Sequence, residues 1–193
     1  MTTYRLINDI YQYHEAFIDF KSMRRQFNDV KVWFPQENTS LTDKLKSEWT
    51  PVDVKFESDS KNNLLPDISV WNLSCLVLNV KAYKALKETL SSIGEFLPLS
   101  DDYYLYNCLE SVTAETIDPT KTNLKIEGMD STHIPESLGF VSEKIQGKPL
   151  FKPGFLENSF LVCQNTFKEI AESNQLTGII FEENLAQIFP TKK

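Results

Sequence analysis

Two histidines, three cysteines and one paired carboxylate are the groups that could do chemistry in this 193-residue chain. His14 stands in an aromatic stretch, and His133 follows a Gly-Met-Asp-Ser-Thr turn. Neither has a patterned partner, so both read as satisfied or solvent-facing imidazoles. Cys75, Cys108 and Cys163 form no CxxC pair and have no histidine nearby in sequence, so zinc spacing is absent. Each lies in an apolar run (SCLVL, YNCLE, FLVCQ), the setting of a small buried hydrophobe rather than a reactive thiol. Asp101-Asp102 beside Tyr103-Tyr104 could be taken for an acid pair. Adjacent residues on a strand point to opposite faces, however, and cannot converge on one proton transfer. The six glycines are isolated, which leaves no phosphate loop and no dinucleotide fingerprint, and neither GxSxG nor HExxH occurs. The sequence therefore predicts no catalytic set, no metal site and no cofactor.

The charge is more informative. The net charge is −7, and nine acids stand between Glu88 and Asp130 against Lys121 and Lys125, so that segment alone accounts for the imbalance. Such a surface repels nucleic acid and can steer a basic protein partner, although acids on a surface also serve solubility alone. Hydrophobic residues at 41% and aromatics at 12% suffice for one packed core, which argues against disorder and against a disulfide scaffold. No run approaches the ~20 apolar residues of a membrane span. The N-terminal MTTYRLINDIYQYHE has no basic start followed by an apolar stretch, so no secretory signal is visible and a cytoplasmic location is expected.

These groups need elements to position them. The polar run 58–63 (SDSKNN) suggests a boundary between a less regular N-terminal part, 1–63, and a main domain, 64–193. In the first part, TYRLI reads as a strand. Ile10, Tyr13, Phe17 and Phe20 recur at helical spacing and predict a helix from Asp9 to Phe27. Asp29 to Phe34 reads as a strand, and Val52, Val54 and Phe56 alternate as a half-buried one. In the second part, Leu76 to Leu78 is a buried strand. Asn79 caps a helix with Tyr83, Leu86, Leu90 and Ile93 on one face, and Gly94 ends it. A long strand-rich run follows, Tyr103 to Ile117, expected to have one wet face. The segment 158–184 repeats the strand–helix–strand pattern. It has a strand at Phe160 to Cys163, a capping Asn165, a helix with Phe167, Ile170 and Ala171 inward, then Gly178 and a strand from Ile179 to Phe181. The fold predicted is α+β, with a mostly antiparallel or mixed central sheet and two or three packed helices.

The order of these pieces resembles bacterial immunity family eleven, a former domain of unknown function attached to polymorphic toxin systems. The matching pieces are Pro66-Asp67-Ile68, Leu76 to Leu86, Glu95 to Leu99, Tyr103 to Asn107 with Asp118, Pro149-Leu150-Phe151, Phe160 to Ile170, and Thr177 to Phe181. They cover about residues 64–182, with 1–63 only weakly similar. The family's usual Ser or Asp at the helix start is Asn79 or Asn165 here. These motifs are structural, and the Pro66-Asp67 pair reads as fold punctuation, because proline fixes its own φ and Asp67 can accept backbone N–H bonds in the turn. The resemblance carries no catalytic residues. It implies an antitoxin that binds a cognate secreted toxin.

On that reading the expected partner-binding residues are Asp101, Asp102, Tyr103, Tyr104, Tyr106, Glu110 and Glu115, tyrosine anchors in an acidic rim. A basic, nuclease-like toxin would complement them. The chain itself would be a monomer or a weak homo-oligomer with no nucleic-acid or membrane partner. The competing expectations are a small-ligand protein or enzyme with an aromatic-lined pocket, and a scaffolding module with a large apolar patch.

Overall fold

The computed structural model describes residues 2–19, 44–57, 64–127, 132–156 and 160–190. The strand expected at Asp29–Phe34 and the boundary expected at 58–63 lie outside them.

The fold is α+β. Its first main sheet contains β4 (Ile68–Trp71), β5 (Cys75–Leu78), β6 (Gly94–Pro98) and β7 (Tyr104–Cys108), in the order β4-β5-β7-β6. Helix α1 (Val80–Leu90) joins β5 to β6. Both strands pair antiparallel with β7, so they run parallel to each other with β7 between them. The second main sheet repeats the device. Its strands are β1 (Thr3–Asn8), β8 (Ser111–Val112), β11 (Leu150–Pro153), β12 (Val162–Gln164) and β13 (Ile179–Glu182), in the order β13-β1-β12-β11-β8. Helix α2 (Asn165–Ser173) connects β12 to β13, and β1 lies antiparallel between them. The two strand–helix–strand units seen in the sequence are thus split units, and the strand inserted into the second comes from the N-terminus. Two smaller antiparallel pairs join β2 (Glu15–Ile18) to β3 (Val54–Glu57), and β9 (Asn123–Glu127) to β10 (Thr132–Ser137).

Burial explains the apolar runs. Leu76, Leu78 and Tyr106 face one core layer with Leu86, Leu90, Leu161 and Phe167. Cys75, Val77 and Leu105, on the alternate positions, face another with Ile18, Val54 and Leu97. Both faces of β5 and β7 are therefore covered. The wet face expected for Tyr103 to Ile117 does not form, because β7 is an interior strand and Leu105 to Cys108 are all buried. Burying one such Leu stabilises by about 1.5–3 kcal/mol.

Local chemistry sets the ends. The Asn79 side chain accepts from the Ala82 N–H at 2.9 Å and caps α1. Asn165 is no cap: it is the first residue of α2, and Gln164 occupies the cap position. Gly94 does not end α1, which stops at Leu90; it opens β6, where a Cβ would lie 2.3 Å from the Tyr106 hydroxyl. The helix expected from Asp9 to Phe27 is, over its described part, a turn and strand β2. Period-two packing prevails there: Ile18 is buried against β3 while Phe17 is exposed.

Two polar clasps tie the sheets together. The Asn8 side chain takes the place of a neighbouring strand beside β4, accepting from the Val70 N–H at 2.6 Å and donating to the Val70 carbonyl at 2.9 Å. The turn bonds expected of Asp67 give way to partners farther along the chain. Its carboxylate accepts from the Thr177 N–H at 3.0 Å, the Lys81 ammonium at 2.9 Å and the Asn79 amide at 2.7 Å. Burial opposes ionisation of Asp67, but the bonds from Lys81, Asn79 and Thr177 prevail and hold it below the usual carboxylate range. Gly178, at φ +103°, lets the second unit approach, since a Cβ there would meet Ile68 O at 2.3 Å.

Candidate partner-binding surface

The most prominent of the sequence-predicted residues sit on a hairpin tip. Strands β6 and β7 are joined through Asp101-Asp102, with φ of 53° and 60°, and the Tyr103 N–H closes the turn on the Ser100 carbonyl at 3.2 Å. Positive φ at both central positions defines a type I′ turn, which aspartate tolerates because its short side chain fits the left-handed region. Both carboxylates are exposed. The paired acids are therefore explained first by turn chemistry, and only then by their charge.

Tyr103 and Tyr104 flank the tip on opposite faces, both half-buried. Tyr103 packs on Phe56 with centroids 4.9 Å apart. Burial and then the Asp101 charge push its hydroxyl above the ordinary range. Tyr104 stacks on Tyr83 of α1 at 3.9 Å with the rings 10° from parallel, and Tyr83 meets Phe96 edge-on at 5.1 Å.

The rest of the expected set is elsewhere. Tyr106 is fully buried, donates to the Leu90 carbonyl at 3.1 Å and is held protonated chiefly by burial. It is a core residue and leaves the surface set. Glu110 lies beyond the far end of β7, a strand of ~17 Å, and is paired with Lys148. Glu115 is exposed in the short turn Ala114–Thr116. The tip thus brings together Asp101, Asp102, Tyr103 and Tyr104, while Glu110 and Glu115 belong to a different part of the surface.

A groove of about 700 Å³ adjoins the stacked tyrosines, bordered by Tyr83 and Lys87 of α1, by Phe96 of β6, and by Lys44 and Lys46. Nothing in the sequence pattern pointed to it, because Lys44 and Lys46 come from a polar stretch and Lys87 from a helix face. Glu95 at its base is buried, and its carboxylate accepts from the Leu45 and Lys46 N–H groups and the Asn107 amide. That clasp holds the lysine segment against β6, the edge strand.

The three thiols are buried, and desolvation pushes Cys75 up to about 12 and Cys108 up to about 11. Lys152, missed in the sequence, is buried in β11, and burial lowers its affinity for a proton. Among the described residues no group of three or more His, Cys, Asp or Glu could hold a metal ion, and no helix is long and apolar enough to cross a membrane.

Residues 93–185 match the family model described as the immunity protein family (Imm11), the family resembled by the order of motifs in the sequence. The matched segment, just under half of the chain, runs from the start of β6 to beyond β13 and includes the whole β6–β7 hairpin. No curated protein matches the chain.

Proposed function

We propose that this chain is an immunity protein that neutralises a cognate bacterial toxin by direct binding, without turning over a substrate. The observation that carries this reading is the immunity-family match over a segment that contains the exposed Asp101-Asp102 tip. Its half-buried tyrosines are anchored from behind by Phe56 and Tyr83, so they can be covered by a partner at little further entropic cost. The acids at the tip suit a basic toxin surface such as that of a nuclease, and would speed encounter. The chain acts in the cytoplasm as a monomer or weak homo-oligomer.

The test is to express the product of the adjacent reading frame in a bacterial host, with and without this chain. Rescue of growth together with co-purification on a tag carried by one partner supports the reading. Toxicity that this chain does not relieve, or relief without a complex, contradicts it. The alternative, a small-ligand protein, draws on a separate concavity of about 350 Å³ lined by Arg5, Leu73, Phe160 and Phe189. Rescue by binding leaves that reading without a role.

A further inference from the structure

We infer that the groove between α1 and the Lys44–Ser47 segment receives an acidic, extended segment of the protein partner. This inference rests on the immunity reading and adds a second, oppositely charged half to its binding surface. The chain carries a net charge of −7, yet Lys44, Lys46 and Lys87 converge on this groove with their side chains exposed. Glu95 is the one acid among the described residues lining it. It is turned to structural use, both of its oxygens being occupied by amide donors. The groove is therefore a cationic strip on an anionic protein.

Its shape and floor favour a peptide over a small anion. The volume, about 700 Å³, far exceeds one phosphate. Tyr83 and Phe96 add an aromatic surface for an apolar side chain. The groove is also continuous with the acidic tip, because Tyr83 lines it while stacking on Tyr104, next but one to Asp102 in sequence. Negative tip, aromatic bridge and positive groove form one graded surface. A partner with basic and acidic regions in the matching order would be held in a single register.

The experiment follows amide resonances of the isotope-labelled full chain during titration with a short peptide of glutamates around a central leucine. Its glutamine counterpart and inorganic phosphate serve as comparisons. The expected result is saturable shifts at Tyr83, Lys87 and Phe96 with the acidic peptide alone, weakened at least ~10-fold in the K46E/K87E variant. Equal shifts with the glutamine peptide, unchanged affinity in the variant, or displacement of the peptide by equimolar phosphate would overturn the inference. The same variant is then co-expressed with the toxin. Rescue by the parent chain but not by K46E/K87E supports the groove, and equal rescue by both overturns the groove while leaving immunity intact. Failure of both to rescue, with peptide binding retained, overturns the immunity reading and leaves the groove.

Discussion

Tyr104 lies flat on Tyr83, with centroids 3.9 Å apart and planes 10° from parallel. One ring belongs to the strand that leaves the acidic hairpin tip and the other to the helix that borders the lysine groove. This contact makes two surfaces of opposite sign mechanically one. It also helps to fix the tip against the body of the protein, together with Tyr103 on Phe56, the Ser100 N–H donating to the Val52 carbonyl and the Val54 N–H donating to the Ser100 hydroxyl.

The turn and binding roles of Asp101-Asp102 can be separated. Replacing the pair with Asn-Gly (D101N/D102G) supplies the residues a type I′ turn favours, so thermal stability should hold or rise. The two charges disappear, and association with the toxin should slow about tenfold at low salt and lose much of its salt dependence. Stopped-flow association across ionic strength checks this. An unchanged rate would mean that the acids serve the turn alone.

Asp67→Asn should cost about 2 kcal/mol at neutral pH, because donors from Thr177, Lys81 and Asn79 lose a charged acceptor. The folded carboxylate ionises below its ordinary value of 3.8. Its contribution is present above that value and is lost as pH falls through the folded one. Denaturation curves of parent and variant should therefore converge in acid. A gap that persists there would assign the effect to packing.

Gly178→Ala should destabilise strongly. At φ +103° the backbone is one that only glycine adopts freely, and the new Cβ would meet Pro66 Cβ at 2.2 Å and Ile68 O at 2.3 Å. The expected loss is about 2–4 kcal/mol, read from the shift of the denaturation midpoint. Gly147→Ala is the comparison: its φ is also positive, but nothing lies within 4 Å of the added Cβ, so its cost should be smaller.

The buried thiols predict an alkaline effect of defined sign. Burial raises Cys75 from 9.0 to about 12. Below its ordinary value both folded and unfolded chains keep the proton. As pH rises above it the unfolded chain loses a proton that the folded chain retains, and stability declines. The stability gap between parent and Cys75→Ala should narrow from pH ~8 to ~11. In the native state at neutral pH, no thiol should react with an exogenous disulfide faster than the chain unfolds.

Much of this was legible in the residues, for local reasons. Asn79 with Leu86 and Leu90 marks α1, because a cap and a helical stripe lie within a dozen positions. The second unit was legible from its stripe, Phe167 with Ala171, and not from its cap, which does not fall on Asn165. What stayed hidden depended on partners distant in sequence. Thr3–Asn8 reads as a strand, but its place between β12 and β13 is set by pairing across more than 150 residues. Tyr106 resembles its neighbours Tyr103 and Tyr104, and only the interior position of β7 sends it inward. The spacing of Ile10, Tyr13 and Phe17 suits a helix, yet β3 offers Glu15–Ile18 a strand partner and takes it. The lysine groove is a property of three segments together and of none separately.

The measurement closest to the central claim is a titration of the purified toxin's activity with this purified chain. Neutralisation by binding predicts a linear loss of activity that ends at one equivalent, with a stable complex recovered intact at that point. Full loss of activity at a small fraction of an equivalent, with the toxin left chemically altered and free, would contradict it and make the chain an enzyme.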